Sequence, residues 1–368
     1  MNHDTGLVIR GARVLDPGSG IDGFFDVAVQ GDKVAAIDKP GAIPTRPGFR
    51  EIQASGMWLL PGLIDLHVHL REPGFEYKET IRSGTEGAVR GGFTSVACMA
   101  NTEPVNDSPY VTAFIRERAK ETAACRVFPV GAVSVGLKGE SLAEIGGMVR
   151  EGARLISDDG MPVMNSYLMR KAMDYAKAFG VAIVSHAEDA NLVGGGVMNE
   201  GALSATLGLR GNPAAAEEIM VAREIALSRL TRCPVHIAHL STFEGIELVR
   251  RAKDAGLNVT AEATPHHLLL TEEAVSTYDT NYKMAPPLRS ARDREALVRA
   301  LADGTVDAIA TNHAPHGLVD KAVEFDNAAC GILGLESAIP ATYGLVKRGL
   351  VGEKRWVESL TRHPAKLL

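Results

Sequence analysis

The stretch Trp58-Leu-Leu-Pro-Gly-Leu-Ile-Asp-Leu-His-Val-His69 decides the fold, because an apolar strand-like run ends there in two histidines. Successive side chains of a strand point to opposite faces, so His67 and His69 point to the same face. Two imidazoles on one side of a strand end form half of a metal site. A lone His-x-His pair also arises by chance in a chain with 11 histidines, so the rest of the sequence has to supply the other half.

The bulk composition is that of a soluble globular protein. The 368 residues are 45% hydrophobic and 23% charged, with a formal net charge of -6, and this length suits one large domain or two ordinary ones. The chain has no basic tract, which argues against nucleic acid and anionic membrane surfaces as partners. No apolar run approaches the length of a membrane span. The four cysteines show no paired spacing, so we expect a reducing, cytoplasmic compartment.

Residues 1–57 predict a small N-terminal β-sandwich module. Turn signals such as Asp16-Pro-Gly-Ser-Gly20 separate its short strands. The predicted strands are Leu7–Arg10, Ala12–Leu15, Phe25–Val29 and Lys33–Ile37.

From residue 58 onwards, near-continuous apolar strands alternate with amphipathic helices, which is the pattern of a parallel sheet covered on both faces. The eight predicted strands are Leu59–His69, Phe93–Met99, Arg126–Ala132, Ala153–Ser157, Val181–His186, Val235–His239, Asn258–Ala263 and Val306–Thr311. Helical patterns between them include Thr80–Arg90, Pro109–Thr122, Asn165–Phe179, Ala214–Arg229 and Glu244–Ala255.

Eight such units over residues 58–345 predict a (β/α)8 TIM barrel. Residues 346–368 predict a helical connection back towards the small module. A doubly wound open sheet is the structural alternative, but no Gly-x-Gly-x-x-Gly follows any predicted strand.

Ligand-type residues collect at the C-terminal ends of the predicted strands, where barrel enzymes carry their chemistry. These ends are His67-Val-His69, Ser157-Asp-Asp-Gly160, His186-Ala-Glu-Asp189, His236-Ile-Ala-His239 and Thr311-Asn-His-Ala-Pro-His316. Taken alone, His186 is typical of a buried structural histidine, and Asp158-Asp159 is typical of a helix cap or turn. On a strand His236 and His239 face opposite sides, so only one faces the barrel mouth, and His239 lies nearer the strand end. Five coincident strand ends favour a metal site.

Imidazole and carboxylate ligands suit zinc. Four histidines and one bridging carboxylate suffice for two ions, which can share a hydroxide and polarise a carbonyl. The reaction class that follows is hydrolysis of an amide-like bond, or its reversal. Arg71 is placed to clamp a substrate carboxylate, although it equally predicts a salt bridge to Glu72 or Glu76. Asn101 and His316 are further hydrogen-bonding candidates, although Asn101 also fits a turn.

The combined motifs resemble the amidohydrolase superfamily and, more narrowly, the bacterial class I dihydroorotases. The motifs are Pro61–Gly74, Asn101–Pro104, Ser157–Gly160, His236–Ser241, His313–His316 and Gly331–Glu336. The resemblance covers essentially the whole chain. It implies the reversible cyclisation of N-carbamoyl-L-aspartate to L-dihydroorotate in pyrimidine synthesis, and with it we expect a homodimer.

Carried over residue by residue, the resemblance implies two zinc ions. It assigns His67 and His69 to the first ion and His186 and His239 to the second. Asp159 bridges the two ions where other amidohydrolases use a carboxylated lysine, and Asp158 is the alternative bridge. The positions that match substrate-binding residues are His69, Arg71, Asn101, Ala285, His316, Cys330 and Gly331.

The chain departs from the family pattern at the catalytic acid/base position. Asn312 stands where the family has an aspartate that ligates the first zinc and carries the proton. An amide cannot act as a general base at any ordinary pH. Ala285 stands where the family usually has a substrate-contacting asparagine, and Cys330 where a bulkier apolar residue is usual. We therefore expect a dihydroorotase impaired by about 10²–10⁴-fold.

Two other functions stay open. The chain fits a non-catalytic, dihydroorotase-like scaffold that binds aspartate transcarbamoylase, and it fits a hydantoinase- or allantoinase-type cyclic amidase. Arg71 and Asn101 favour dihydroorotate over hydantoins, which lack the carboxylate. In the family, strands that complete the small module follow the position matching Leu368, so the resemblance predicts a module without those strands here.

Overall fold

The computed structural model describes residues 6–45 and 47–368. The described chain forms two compact units, the first ending at Leu63 and the second running from Ile64 to Leu368. Each is described by itself below.

The N-terminal unit contains one five-stranded sheet. Its strands are β1 Gly6–Asp16, β2 Ile21–Gln30, β3 Lys33–Asp38, β4 Phe49–Gln53 and β5 Trp58–Leu59. β1 pairs antiparallel with β2 and parallel with β4 and β5, while β3 continues the sheet beyond β2. The sequence predicted a small β-sandwich module here, and an N-terminal sheet module is present, whose described strands all belong to one sheet.

Two details of the N-terminal sheet differ from the sequence prediction. Leu7–Arg10 and Ala12–Leu15 were predicted as separate strands but both lie in β1, whose pairing register shifts between Ile9 and Ala12. Gly11 has a φ of 67° there, and its N–H donates to Asp26 Oδ1 at 2.8 Å. The glycine thus accommodates a bulge inside a continuous strand. In addition, Leu59 pairs with β1 and is not part of the first barrel strand.

The second unit contains an eight-stranded parallel barrel. Its strands are β6 Leu63–Val68, β7 Phe93–Cys98, β8 Arg126–Gly131, β9 Leu155–Ile156, β10 Ala182–Ser185, β13 Val235–Ile237, β14 Val259–Ala263 and β15 Ala308–Ile309, and β11 Met198–Asn199 pairs with β12 Gly211–Asn212 outside it. The barrel strands pair in chain order from β6 to β15. Val68 bridges to His313, and His69 N–H donates to His313 O at 2.9 Å, which joins the first strand to the segment after the last. The predicted (β/α)8 fold is confirmed.

The helices include the five stretches that the sequence predicted, each within a few residues of its expected bounds. They are α1 Ile81–Arg90, α2 Pro109–Thr122, α3 Ile145–Arg150, α4 Ser166–Ala178, α5 Ala190–Val193, α6 Ala202–Leu207, α7 Ala214–Thr231, α8 Phe243–Asp254, α9 Pro265–Leu269, α10 Ala291–Asp303, α11 Leu318–Lys321, α12 Ala338–Lys347, α13 Glu353–Leu360 and α14 Arg362–Leu367, with 3-10 turns at Val135–Leu137, Glu272–Thr277 and Thr280–Tyr282. Local capping explains where several begin: the Thr80 and Ser290 side chains accept from the backbone N–H three residues on, which satisfies a donor that the helix leaves free. Within the described part of the chain, no helix is both long and apolar enough to cross a membrane.

The apolar core and the polar strand ends occupy different positions along the barrel strands. A buried apolar cluster contains Leu66, Val130 and Val184, which come from three barrel strands. Leu367 and Leu368 pack against this cluster. Burying these side chains holds the strands together. The same strands end in the ligand-type residues described next.

Candidate active site

Asp159 lies at the centre of four imidazoles at the C-terminal ends of the barrel strands. Its Oδ2 is 3.3 Å from His67 Nε2 and 3.5 Å from His69 Nε2. Its Oδ1 is 3.3 Å from His239 Nε2 and 3.5 Å from His186 Nδ1. All five side chains are buried. Each carboxylate oxygen therefore faces its own pair of histidine nitrogens.

These separations fit shared metal ligation better than hydrogen bonding. Two ligand atoms about 2.0–2.1 Å from a tetrahedral ion stand roughly 3.3 Å apart. His67 Nε2 is buried without a hydrogen-bond partner among the described residues, although Asp159 Oδ2 is 3.3 Å away. Ligand atoms of His67, Asp159 and His239 all lie within 4.8 Å of one another. The chain thus presents a His/Asp cluster that is suited to hold a metal ion.

Burial and neighbouring charges shift the pKa values of the clustered side chains in different directions. Burial opposes a charged His67, but the Asp159 and Glu262 carboxylates overcome it and raise the pKa of its imidazole to about 10. Burial works against an ionised Asp159 too, yet His67 and the neighbouring imidazoles hold the pKa of that carboxyl well below its ordinary value. Burial and the Arg71 guanidinium lower the pKa of His69 to about 3. Metal ligands must be deprotonated, so a cation entering here displaces protons.

Of the two adjacent aspartates, only Asp159 faces the histidines. Asp158 Oδ1 accepts the backbone N–H groups of Val133 and Ser134 at 2.6 and 3.0 Å, and its Oδ2 accepts the Ser134 hydroxyl. Asp158 is therefore occupied in holding the loop after β8, which is the turn-type role that the sequence allowed for the pair.

The positions of His236 and His239 do not follow the alternation of side chains along a regular strand. His239 lies beyond the end of β13 with a φ of 32°, so alternation does not determine its direction, and it joins Asp159. His236 reaches the cluster only through Glu262, whose Oε2 is 3.1 Å from His236 Nε2 and whose Oε1 is 2.6 Å from His67 Nδ1. His239 is the cluster member of the two, as expected, but His236 supports the cluster from a neighbouring position.

A second group, of hydrogen-bonding and cationic side chains, lies beside the histidines. Arg71 Nε donates to Pro315 O at 3.2 Å, and its Nη2 is 3.3 Å from His316 Nε2. Burial and the nearby Arg71 and Lys78 charges lower the pKa of His316 to about 4. Asn101 Oδ1 is 2.9 Å from His69 Nδ1. Arg71, His316 and Asn101 thus border the His/Asp cluster on the His69 side.

The alternative partners proposed for Arg71 are engaged elsewhere. Glu72 accepts from Arg118 Nε at 2.7 Å and from the Ile81 N–H at 2.9 Å. Glu76 accepts the Gly74 N–H at 2.8 Å. Neither carboxylate forms an ion pair with Arg71 in the described structure.

Two of the three positions that the resemblance marked as departures, Asn312 and Cys330, contact residues described above. Asn312 is buried with a φ of 46°, a conformation that asparagine and aspartate tolerate best among residues with a Cβ. Its Oδ1 is 3.1 Å from His69 Nε2. Cys330 O is 2.9 Å from His316 Nε2, and Gly331 follows it. Ala285 is half-buried and presents a methyl group that cannot form a hydrogen bond.

Comparison with known proteins identifies the family. Residues 56–245 match the family model described as dihydro-orotase-like. A dihydroorotase of Desulforapulum autotrophicum is 50% identical over 359 residues, covering 98% of this chain and 84% of that protein. A dihydroorotase of Anaeromyxobacter dehalogenans is 52% identical over 363 residues, covering 98% of this chain and 83% of that protein.

The chain belongs to the dihydroorotase family.

Solved structures support the fold of the chain. The L-hydantoinase of Arthrobacter aurescens superposes with a TM-score of 0.87 at 24% identity, covering 98% of this chain and 82% of that chain. The dihydropyrimidinase of Brevibacillus agri superposes with a TM-score of 0.83 at 23% identity, covering 98% of this chain and 81% of that chain. At such identities the likeness is one of fold.

The candidate site contains supporting carboxylates that the sequence analysis did not assign, and Glu262 is the first of them. Glu262 is fully buried in β14, and its Oε1 lies 2.6 Å from His67 Nδ1. Because Nδ1 of His67 is engaged by Glu262, Nε2 is the nitrogen that faces Asp159. The available signal was a single ionisable residue inside the apolar strand Val259–Ala263, because a buried glutamate is rare without a partner.

His186 has an equivalent support. Its Nε2 lies 2.9 Å from Glu188 Oε2, and Asn212 Nδ2 donates to the other Glu188 oxygen at 2.8 Å. This contact directs His186 Nδ1 towards Asp159. Glu262 and Glu188 therefore each bind an imidazole through the nitrogen that faces away from Asp159.

Proposed function

We propose that this chain is a zinc-dependent dihydroorotase that interconverts N-carbamoyl-L-aspartate and L-dihydroorotate, with its activity reduced by Asn312. The observation that carries the proposal is the arrangement of Asp159, each of whose oxygens faces one pair of imidazoles. The sequence relatives are dihydroorotases over nearly the whole chain.

The residues present fit two zinc ions. His67 and His69, with Asn312 beside them, would hold the first, and His186 and His239 would hold the second, with Asp159 shared between them. Imidazole nitrogen and carboxylate oxygen are the ligands zinc prefers. When bound, such ions supply a hydroxide at neutral pH and polarise the carbonyl that it attacks.

The polar group on the His69 side would bind the substrate carboxylate. Arg71 offers a guanidinium that can pair with a carboxylate through two N–H donors. Asn101 and His316 add neutral hydrogen-bonding groups. The charge of Arg71 is what a dihydroorotate carboxylate requires and what an uncharged hydantoin ring does not use.

Asn312 limits the reaction because it cannot carry a proton. The ring nitrogen of dihydroorotate must gain a proton as the amide bond breaks, and an amide side chain neither gives nor accepts one at ordinary pH. A positioned general acid or base contributes about 10²–10⁴-fold in rate. We propose that this factor is missing here.

The substitution Asn312→Asp tests the proposal directly. Both residue types tolerate the left-handed backbone at this position, so the change adds a base without requiring a new fold. With equal zinc content, we expect dihydroorotate hydrolysis to rise by about 10²–10⁴-fold.

Asn101→Asp is the matched control, because it makes the same chemical change on the other side of His69. We expect no gain there and weaker substrate binding, since the new carboxylate repels that of the substrate. A fully metallated Asn312→Asp protein that turns over dihydroorotate no faster than the parent would contradict the assignment of the missing base.

The second candidate is a scaffold role, which the combination of Asn312 and Ala285 favours. A scaffold would bind aspartate transcarbamoylase stably, and Asn312→Asp would leave turnover at the level of buffer. Failure of the two proteins to co-elute on size exclusion would remove this candidate.

A further inference from the structure

Two lysine side chains bind the loop Phe325–Gly331, here called the 325–331 loop. Lys283 is 4% exposed, and its ammonium donates to Phe325 O at 2.8 Å and Asp326 O at 2.9 Å. The same nitrogen lies 5.7 Å from the centre of the Phe325 ring, within the range of a cation–π contact. Lys283 therefore binds the beginning of the loop.

Lys321 binds the end of the same loop. Its ammonium donates to Ala329 O at 2.9 Å and Gly331 O at 3.0 Å. Across the described residues, neither Lys283 nor Lys321 forms an ion pair. Burial lowers the pKa of both amino groups from the ordinary value. Each ammonium is thus satisfied by loop carbonyls rather than by a carboxylate, and for the buried Lys283 this is a costly arrangement for stability alone.

The loop held in this way touches the substrate side of the site. Cys330 O lies 2.9 Å from His316 Nε2, and the Gly331 N–H donates to Lys283 O at 2.9 Å. His316 in turn lies 3.3 Å from the Arg71 guanidinium. A chain of direct contacts therefore runs from the two ammonium groups through the loop to the carboxylate-binding residues.

We propose that Lys283 and Lys321 are positioning residues, which hold the 325–331 loop against His316 and so set the affinity of the site for the substrate carboxylate. The proposal rests on the proposed function only for the identity of the ligand. Because a positioned His316 would contact the bound substrate before and during the reaction alike, losing a lysine changes binding more than the rate of the chemical step.

The principal variant is Lys321→Met, which keeps an unbranched side chain only one atom shorter and removes the three donors of the ammonium. Lys321 is less buried than Lys283, so this variant is the safer one for folding. In the zinc-loaded protein we expect faster amide hydrogen exchange in residues 325–331, and L-dihydroorotate binding weakened by about 10-fold in calorimetry. Turnover at saturation is expected to change by less than about 2-fold. Lys321→Arg, which retains donors, should recover part of the affinity.

Lys253→Met is the matched control. Lys253 also binds a loop, through Gly304 O at 3.2 Å and Asp307 Oδ2 at 2.6 Å, but that loop precedes β15 at the opposite end of the barrel. We expect its exchange effect to be confined to that loop and dihydroorotate binding to match the parent.

Separate readouts distinguish the failure of this inference from the failure of the proposed function. Unchanged exchange in the 325–331 loop of Lys321→Met overturns the inference, as does unchanged dihydroorotate affinity or an equal loss in Lys253→Met. If the parent itself does not bind dihydroorotate, the proposed function fails, and loop exchange alone still decides whether the lysines hold the loop.

Discussion

Replacing Gly331 by alanine should displace the 325–331 loop from His316. A Cβ at this position would lie 2.3 Å from Ala314 O and 2.6 Å from His316 Cδ2, whereas real Cβ atoms essentially never approach closer than 3.0 Å. The difference, 3.0 − 2.3 = 0.7 Å, is the least movement that the backbone must make. Ala314 belongs to the tightly packed segment after β15, so we expect the loop to move.

This movement is enough to break the contact between the loop and His316. The His316 Nε2–Cys330 O distance of 2.9 Å would lengthen to roughly 3.6 Å, which is beyond hydrogen-bonding range. Overpacking of this kind costs about 1–3 kcal/mol of stability. Since displacements near 1 Å can reduce the efficiency of a site by roughly 10²-fold, we expect dihydroorotate binding to weaken by about 10–100-fold.

The assay combines urea unfolding with calorimetric titration of L-dihydroorotate. Gly344→Ala is the control, because a Cβ there has no neighbour within 4 Å and the residue lies inside α12. That substitution should stabilise the protein by up to about 1 kcal/mol through helix propensity and leave binding unchanged. If Gly331→Ala unfolds at the parent urea concentration and binds dihydroorotate equally well, the steric reasoning is wrong.

Three further predictions concern the metal cluster and its supports. Removing zinc with a chelator should lower the melting temperature by calorimetry, since zinc at 100 times its Kd contributes about 2.7 kcal/mol; an unchanged melting temperature would speak against a bound ion. Glu262→Gln should weaken zinc binding by about 10–100-fold in a competition titration, because one amide oxygen replaces a carboxylate that meets both His67 and His236; equal affinity would show that Glu262 is dispensable. Glu217→Gln should destabilise the protein to urea by about 1–3 kcal/mol, because the buried carboxylate accepts the N–H and hydroxyl of Thr242 at the start of α8, and unchanged zinc affinity is expected.

Local patterns were sufficient to predict the repeating units of the barrel. Each barrel strand is a short, largely apolar run, and several of the predicted helices begin next to a side chain that caps them, as at Thr80 and Thr242. These signals depend on neighbours a few residues apart, so they survive without the fold. The prediction was less accurate where pairing is non-local, as in the single strand β1 and the placement of Leu59 in the N-terminal sheet.

The candidate site was predicted to a large extent for a related reason. In a parallel barrel the C-terminal ends of all strands lie at the same rim. Polar residues at those ends therefore converge even though they are distant in sequence. Side-chain direction at those ends could not be predicted, because the chain leaves regular strand geometry there, as the positive φ of His239 and Asn312 illustrates. The choice between Asp158 and Asp159 depended on which carboxylate the loop after β8 occupies.

The amino-acid sequence by itself determined the barrel, the residue types of the cluster and the identity of the residue opposite the first pair of histidines, Asn312. These properties follow from the composition of the chain, the spacing of its motifs and the periodicity of its apolar residues. Only the tertiary structure decided which nitrogen of each imidazole faces Asp159, that Glu262 holds His67, and that two lysines bind the 325–331 loop. Those contacts join residues up to 195 positions apart, and no local pattern specifies them, because they depend on which groups remain unsatisfied once the strands have packed.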